Sequence, residues 1–148
     1  MKTIRLSTFA IFISLAFTSA ALAKDKNEDS EDEVSIEKVT LVRDAGDKFE
    51  PVENFKPTDT FGVLVKLSEP KIGTRVKGVW TAVDAGGLKD KKLLEKEVTL
   101  NSDTFKGVKQ KDRVDFSLSH DNPYPTGDYK IDIYLNGELA ETVEFTIE

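Results

Sequence analysis

The sequence predicts an all-β protein, an antiparallel β-sandwich of about seven strands. Two observations carry this. From Pro125 to Ile147 the chain alternates on both sides of Asn136-Gly137. Tyr129, Ile131, Ile133 and Leu135 share one phase before the dipeptide; Val143, Phe145 and Ile147 share one after it, with Thr142, Glu144 and Thr146 opposite. A two-residue period is that of a strand with one buried face. Asn-Gly suits a type I′ turn, whose two central residues both need positive φ. Upstream, short alternating runs are separated by Pro and Gly, and no window holds a long helical period.

Met1 to Ala23 reads as a secretory signal. Lys2 and Arg5 form its positive start, Leu6 to Phe17 is mostly apolar, and Ala21-Leu22-Ala23 is the small-x-small site that signal peptidase accepts. The apolar run is short for a ~30 Å bilayer core, so it reads as a cleaved signal rather than an anchor. No Cys follows the site, which excludes lipidation there. The short, Ala-ended signal is Gram-negative in style and points to the periplasm, or to secretion. Residues 24–33, KDKNEDSEDE, contain no apolar side chain and read as a disordered acidic leader.

The first strand is expected over Val34 to Val42, with a phase slip between Ile36 and Val39 that suggests a bulge. The second covers Thr60 to Ser68, with Phe61, Val63, Val65 and Leu67 on one face. The third covers Arg75 to Val83, with Val76, Trp80 and Ala82 on one face. A fourth is expected around Lys96 to Leu100, preceded by Leu93 and Leu94. The fifth, Arg113 to Ser119, sets Val114, Phe116 and Leu118 against Asp115, Ser117 and Ser119. The terminal hairpin supplies the last two. Pro51, Pro57, Pro70, Gly73, Gly86-Gly87, Pro123, Pro125 and Gly127 punctuate these runs.

Residues 34–148 thus make one domain with a single core. The chain of 148 residues has no Cys, so no disulfide staples the sandwich and packing must hold it. Its formal charge is −6, and −8 once Lys2 and Arg5 leave with the signal. That disfavours nucleic acid and anionic membrane as partners.

Trp80 on the third strand and Pro125-x-Gly127-x-Tyr129 before the sixth carry a resemblance. From about Lys56 to the C-terminus the chain resembles the bacterial immunoglobulin-like and fibronectin-type-III-like domains of exported proteins. The resemblance implies an immunoglobulin-like sandwich with Trp80 in the core. It also implies a tyrosine corner, in which the Tyr129 hydroxyl bonds nearby backbone. Such domains commonly serve as adhesion, carbohydrate-binding or spacer modules. True immunoglobulin domains add a Cys pair, which this chain lacks.

Catalytic chemistry is sparse. His120 is the sole histidine, and its neighbour Ser119 would point to the opposite face of a strand, out of hydrogen-bond reach. One His and no Cys argue against a transition-metal site, and no cofactor is expected. Asp44 with Asp47, Asp84 with Asp90, and Asp121 with Asn122 are acidic loop pairs without EF-hand spacing. Gly86-Gly87 lacks the Gly-Lys-Ser/Thr of a phosphate loop and reads as a turn.

A sheet face is the better lead. With Trp80 inward, Lys77, Val79, Thr81 and Val83 face outward; with Tyr129, Ile131 and Ile133 inward, Lys130, Asp132 and Tyr134 face outward. In an immunoglobulin-like order the third and sixth strands are neighbours, so Val79, Val83 and Tyr134 are the candidate binding residues. Trp80, Tyr129, Gly127, Asn136 and Gly137 are the candidate structural ones. The expected function is a non-enzymatic module that binds a protein or glycan of the cell envelope. The alternatives are a small hydrolase with paired carboxylates, or a soluble inhibitor or accessory subunit that uses Asp84 to Lys92 or Asn101 to Asp112 as a loop.

The n-region, apolar run and Ala-Leu-Ala site predict that the exported protein begins at Lys24. Its intact mass, read from a periplasmic fraction, should fit residues 24–148 with no lipid added. A species retaining Met1 in healthy cells contradicts this.

Overall fold

The computed structural model describes residues 33–105 and 112–148. The expected signal and all but the last residue of the acidic leader lie outside these. Eight strands and one helical turn follow in order: β1 (Ile36–Asp44), β2 (Phe49–Pro51), β3 (Phe61–Leu67), β4 (Arg75–Ala85), β5 (Leu88–Thr99), α1 (Ser102–Phe105), β6 (Arg113–Leu118), β7 (Gly127–Leu135) and β8 (Glu138–Ile147). They form two antiparallel four-stranded sheets, ordered β2-β1-β3-β6 and β5-β4-β7-β8. The fold is an immunoglobulin-like β-sandwich.

The terminal hairpin is as the alternation requires. Asn136 and Gly137 have φ of 51° and 89°, and Leu135 pairs with Glu138 across them. The phase slip in the first strand is a register shift between Ile36 and Lys38 against β3. Trp80 is buried at 1% exposure, and β4 pairs with β7 along its length.

Three expectations are corrected. The fourth expected strand, around Lys96 to Leu100, is instead β5, which starts at Leu88 straight after a Gly86-Gly87 turn whose φ values are 57° and 85°. β5 is a sheet edge, wetted on most positions, and Lys-rich edges resist stray pairing at the cost of a clean apolar pattern. Leu93 has no partner on β4, since Leu94 pairs with Trp80 and Lys92 with Thr81. β2 is an eighth strand the sequence did not announce: three residues long and ending in Pro51, which an edge tolerates because no partner needs its missing N–H.

Phe55 and Tyr124 are the third correction, because chain read as breaker loops enters the core. Phe55 is 1% exposed and bridges Ile147 in parallel, donating its N–H to Thr146 at 3.1 Å and accepting from Glu148 at 3.0 Å. Tyr124 hangs from the Pro57 carbonyl by its N–H at 2.9 Å. Its phenol is buried among rings with no hydrogen-bond partner, and burial pushes its pKa up.

The core is chiefly aromatic at its centre. The ring of Phe61, on β3, lies 4.6 Å from Phe55, 4.5 Å from Tyr124, 6.1 Å from Phe145 and 6.5 Å from Trp80. Phe145 meets Trp80 edge-on at 5.9 Å and stacks on Tyr129 at 5.7 Å. Aliphatic side chains of both inner faces, among them Val63, Val65, Val76, Ile131 and Ile133, close around these rings.

The tyrosine corner is present. The Tyr129 hydroxyl donates to the Pro125 carbonyl at 2.7 Å. Gly127 stands between them at φ 145°, and a Cβ there would meet the Asp84 carbonyl oxygen at 2.2 Å. The corner is therefore held by a hydrogen bond and by a backbone approach that only glycine permits.

Tyr129→Phe should cost about 0.5–1.5 kcal/mol, the net worth of one hydrogen bond. Gly127→Ala should cost more than Tyr129→Phe, since it forces β7 off β4. Urea unfolding of both variants checks the order; the reverse ranking contradicts this account of the corner.

Candidate functional site

The candidate site is the outer face of the β5-β4-β7-β8 sheet. Register decides what this face presents. Lys77 pairs with Tyr134 and with Glu97, Val79 with Asp132 and with Glu95, and Thr81 with Lys130 and with Lys92. On β8, Thr142 lies opposite Asp132 and Glu144 opposite Lys130.

Val79 and Tyr134 thus sit on neighbouring strands of one face, both half-buried, but charged groups run between them. The Lys77 ammonium lies over the Tyr134 ring, 4.5 Å from its centre, and 3.7 Å from Glu95. Glu95 also pairs with Lys92 at 2.8 Å, and these cations hold its carboxyl below the ordinary range. Asp132 is only 8% exposed although it faces outward. It accepts from the Thr142 hydroxyl at 2.6 Å and lies 3.3 Å from the Lys130 ammonium. The face is a lattice of opposite charges with Val79 and Tyr134 set into it, not a continuous apolar patch.

Val83 stands apart from the other two. Ala82 pairs with Tyr129 and Asp84 with Asp128, so Val83 is an extra residue with no partner on β7. Bulges of this kind re-aim side chains and recur beside functional sites. Here the bulge lets Ala85 return to the core and turns Val83 into the wall of an open groove of about 370 Å³. Asp128, Glu144 and Thr146 line the groove from β7 and β8, with Asn54 from the loop after β2. Asn54 is itself braced, accepting from the Thr146 N–H at 3.2 Å. Sequence reasoning missed these four polar residues. The one available signal was the spacing Trp80, Ala82, Ala85, where the inward phase skips from two to three, and alanines mark a phase weakly.

The remaining candidates fall elsewhere. His120 lies in the β6–β7 loop, where its Nδ1 faces the Asn122 N–H and carbonyl at 2.9 Å and its ring packs 5.2 Å from Tyr124. Asp44 accepts from the Gly46 N–H at 2.8 Å, and Asp84 pairs with Lys89 at 2.6 Å. No three His, Cys, Asp or Glu residues among those described gather as a metal-ion site. Asp84 to Lys92 is a tight hairpin of β4 and β5 rather than a loop, which removes it as an inhibitory loop. Asn101 to Asp112 begins with α1 and continues outside the described residues. Glu50 is held down to about 2 by hydrogen bonds from Lys48 and Arg43, the opposite direction from that of a general acid. No helix among the described residues is long and apolar enough to cross a membrane.

No family model matches the chain, and no curated protein matches it significantly. Solved structures do. The chain is similar to an immunoglobulin-like protein of Pseudomonas aeruginosa, with a TM-score of 0.51 and 14% identity over 78% of this chain and 97% of that one. This supports the immunoglobulin-like fold, and at that identity the fold alone. A weaker likeness, TM-score 0.45 and 12% identity, covers 78% of this chain and 30% of an alkylpurine DNA glycosylase of Pseudomonas fluorescens bound to DNA with an abasic-site analogue. Similarity at that level says nothing about activity.

Proposed function

We propose that this protein is an exported, non-enzymatic binding or accessory module that recognises a protein or glycan of the cell envelope through the outer face of the β5-β4-β7-β8 sheet. The observation that supports this reading is the bulged groove at Val83. Its volume falls in the lower part of the roughly 300–1,000 Å³ range of ligand sites. It pairs an apolar wall with two carboxylates, an amide and a hydroxyl, a set suited to hydroxyl or ammonium groups. Val79 and Tyr134 extend the surface along the face. Tyr134 brings the amphipathic aromatic type favoured at interfaces, held in place by Lys77. The fold is compatible with this role, and because sandwiches of this class host many functions, it is the site that distinguishes among them.

The same groove motivates the second reading, a small hydrolase. Asp128 and Glu144 both line it, and paired carboxylates are the machinery of glycoside hydrolysis. Against this, the groove is open and lies on a sheet face, where little excludes water.

One experiment separates these. The exported protein is cross-linked in envelope extract beside the variant Val79→Ser/Val83→Ser/Tyr134→Ser. The variant should fold with an unchanged unfolding midpoint and lose its cross-linked product, since interface anchors each cost more than ~1 kcal/mol when truncated. Undiminished capture by a folded variant eliminates this face. Turnover of an envelope glycan that Asp128→Asn or Glu144→Gln abolishes supports the hydrolase instead.

A further inference from the structure

The opposite sheet carries a different surface, separate from the groove at Val83. In the β2-β1-β3-β6 sheet, Lys38 pairs directly with Lys66, and Lys66 pairs directly with Arg113. The adjacent row, Val39, Val65 and Val114, points into the core, so the three cations stand side by side on the outer face. Neighbouring strands are about 4.8 Å apart, which makes a line of three positive charges roughly 10 Å long.

Like charges directly opposite one another in a sheet are destabilising. A fold gains nothing from two such pairs in succession, and this chain has 27 acids with which to break them up. One acid does intervene: Glu37 pairs with Lys66 at 2.5 Å, from the point where β1 shifts register. Asp112 adds its field at Lys66, and Asp115 stands opposite Leu64 on the next row. Lys38 and Arg113, the two ends of the line, have no carboxylate partner among the described residues. The three cations also line one groove, of about 210 Å³, together with Thr40, Leu64 and Pro51.

We infer that this groove is a binding site for an acidic glycan, a chain of uronate or similarly anionic sugars lying across the strands. Lys38 and Arg113 take its carboxylates, Arg113 with the fork geometry that suits them. Leu64 and Pro51 meet the C–H faces of the rings, and Thr40 offers a hydroxyl to theirs. In a two-fold pyranose chain the carboxylates on one side recur at every second sugar, roughly twice the strand spacing, so two of them meet Lys38 and Arg113 while Lys66 keeps Glu37. An extended acidic peptide fits less well, because its side chains on one face recur at about 6.8 Å. Single-stranded nucleic acid relies on aromatic platforms, and the apolar lining here is aliphatic. The net charge of −8 on the exported chain sharpens the selection: polyanions are repelled from the molecule at large and accepted at one row.

The test is an amide NMR titration of the exported protein with hexagalacturonate, beside a neutral galactose oligomer of the same length and a poly-glutamate peptide. The uronate should move the amides of Lys38, Thr40, Leu64, Lys66 and Arg113, and its affinity should fall as salt rises. The neutral oligomer should move none of them. Lys38→Gln/Arg113→Gln keeps the Lys66–Glu37 pair, so it should unfold at the same temperature as the parent or higher, and bind the uronate at least tenfold more weakly. Lys89→Gln/Lys92→Gln, on the other sheet, should bind as the parent does. Four results overturn the inference: equal binding of the neutral oligomer, unchanged affinity in the Lys38/Arg113 variant, an equal loss in the Lys89/Lys92 control, or tighter binding of poly-glutamate at the same amides.

Discussion

Everything in this sandwich depends on one contact between its sheets, the meeting of Phe61 from β3 with the rings of Trp80 and Phe145 from β4 and β8. A chain with no cysteine has no covalent link to hold two sheets face to face. Phe61 is fully buried and touches four rings. Aromatic pairs contribute about 0.5–1.5 kcal/mol each beyond their buried area, so the two that cross from Phe61 to the other sheet, with Trp80 and Phe145, reach roughly 1–3 kcal/mol. A disulfide typically contributes about 2–4 kcal/mol. The ring cluster is thus of the same order as the missing staple. It also draws in Phe55 and Tyr124, which fold the connections of the domain down onto it.

The inward clamp determines what is left outside. Once Trp80, Tyr129 and Phe145 are fixed inward, alternation sends Val79, Lys130, Asp132 and Glu144 outward in set register. The corner at Gly127 adds a second constraint, because it brings the backbone of β7 against Asp84 and Ala85. β4 has to carry Ala82 and Ala85 both inward, three residues apart, and it does so by bulging at Val83. The groove on that face is therefore a by-product of core geometry that the surface can put to use. On the opposite sheet the same logic makes Lys38, Lys66 and Arg113 a row, since each is one residue before or after an inward valine.

What was legible in the sequence was whatever has one wet face and one dry face. β3, β6 and the β7–β8 hairpin alternate cleanly, and Asn136-Gly137 names its own turn. Trp80 and the Pro125-Gly127-Tyr129 group were readable because each residue type there has few other reasons to occur in that pattern. β5 was legible only at its end, because an edge strand wetted on most positions has no apolar period. Phe55 was hidden between two prolines, where aromatics in a loop look incidental; its burial follows from a bridge to Ile147 that no local pattern encodes. Of the candidate site, the facing of Val79, Val83 and Tyr134 was visible. The charges set among them, and the groove residues Asp128, Glu144 and Asn54, depend on cross-strand register and loop closure, which a linear reading cannot supply.

The two sheets are coupled through Phe61 and Phe145. A double-mutant cycle tests this coupling most directly, with Phe61→Leu and Phe145→Leu made singly and together, and urea unfolding followed by Trp80 fluorescence. Residues in contact typically show interaction energies of 0.5–3 kcal/mol, and at least ~1 kcal/mol is expected here, with each single variant clearly destabilised. Effects that add to within about 0.3–0.5 kcal/mol would contradict it and leave the sheets held by aliphatic burial alone.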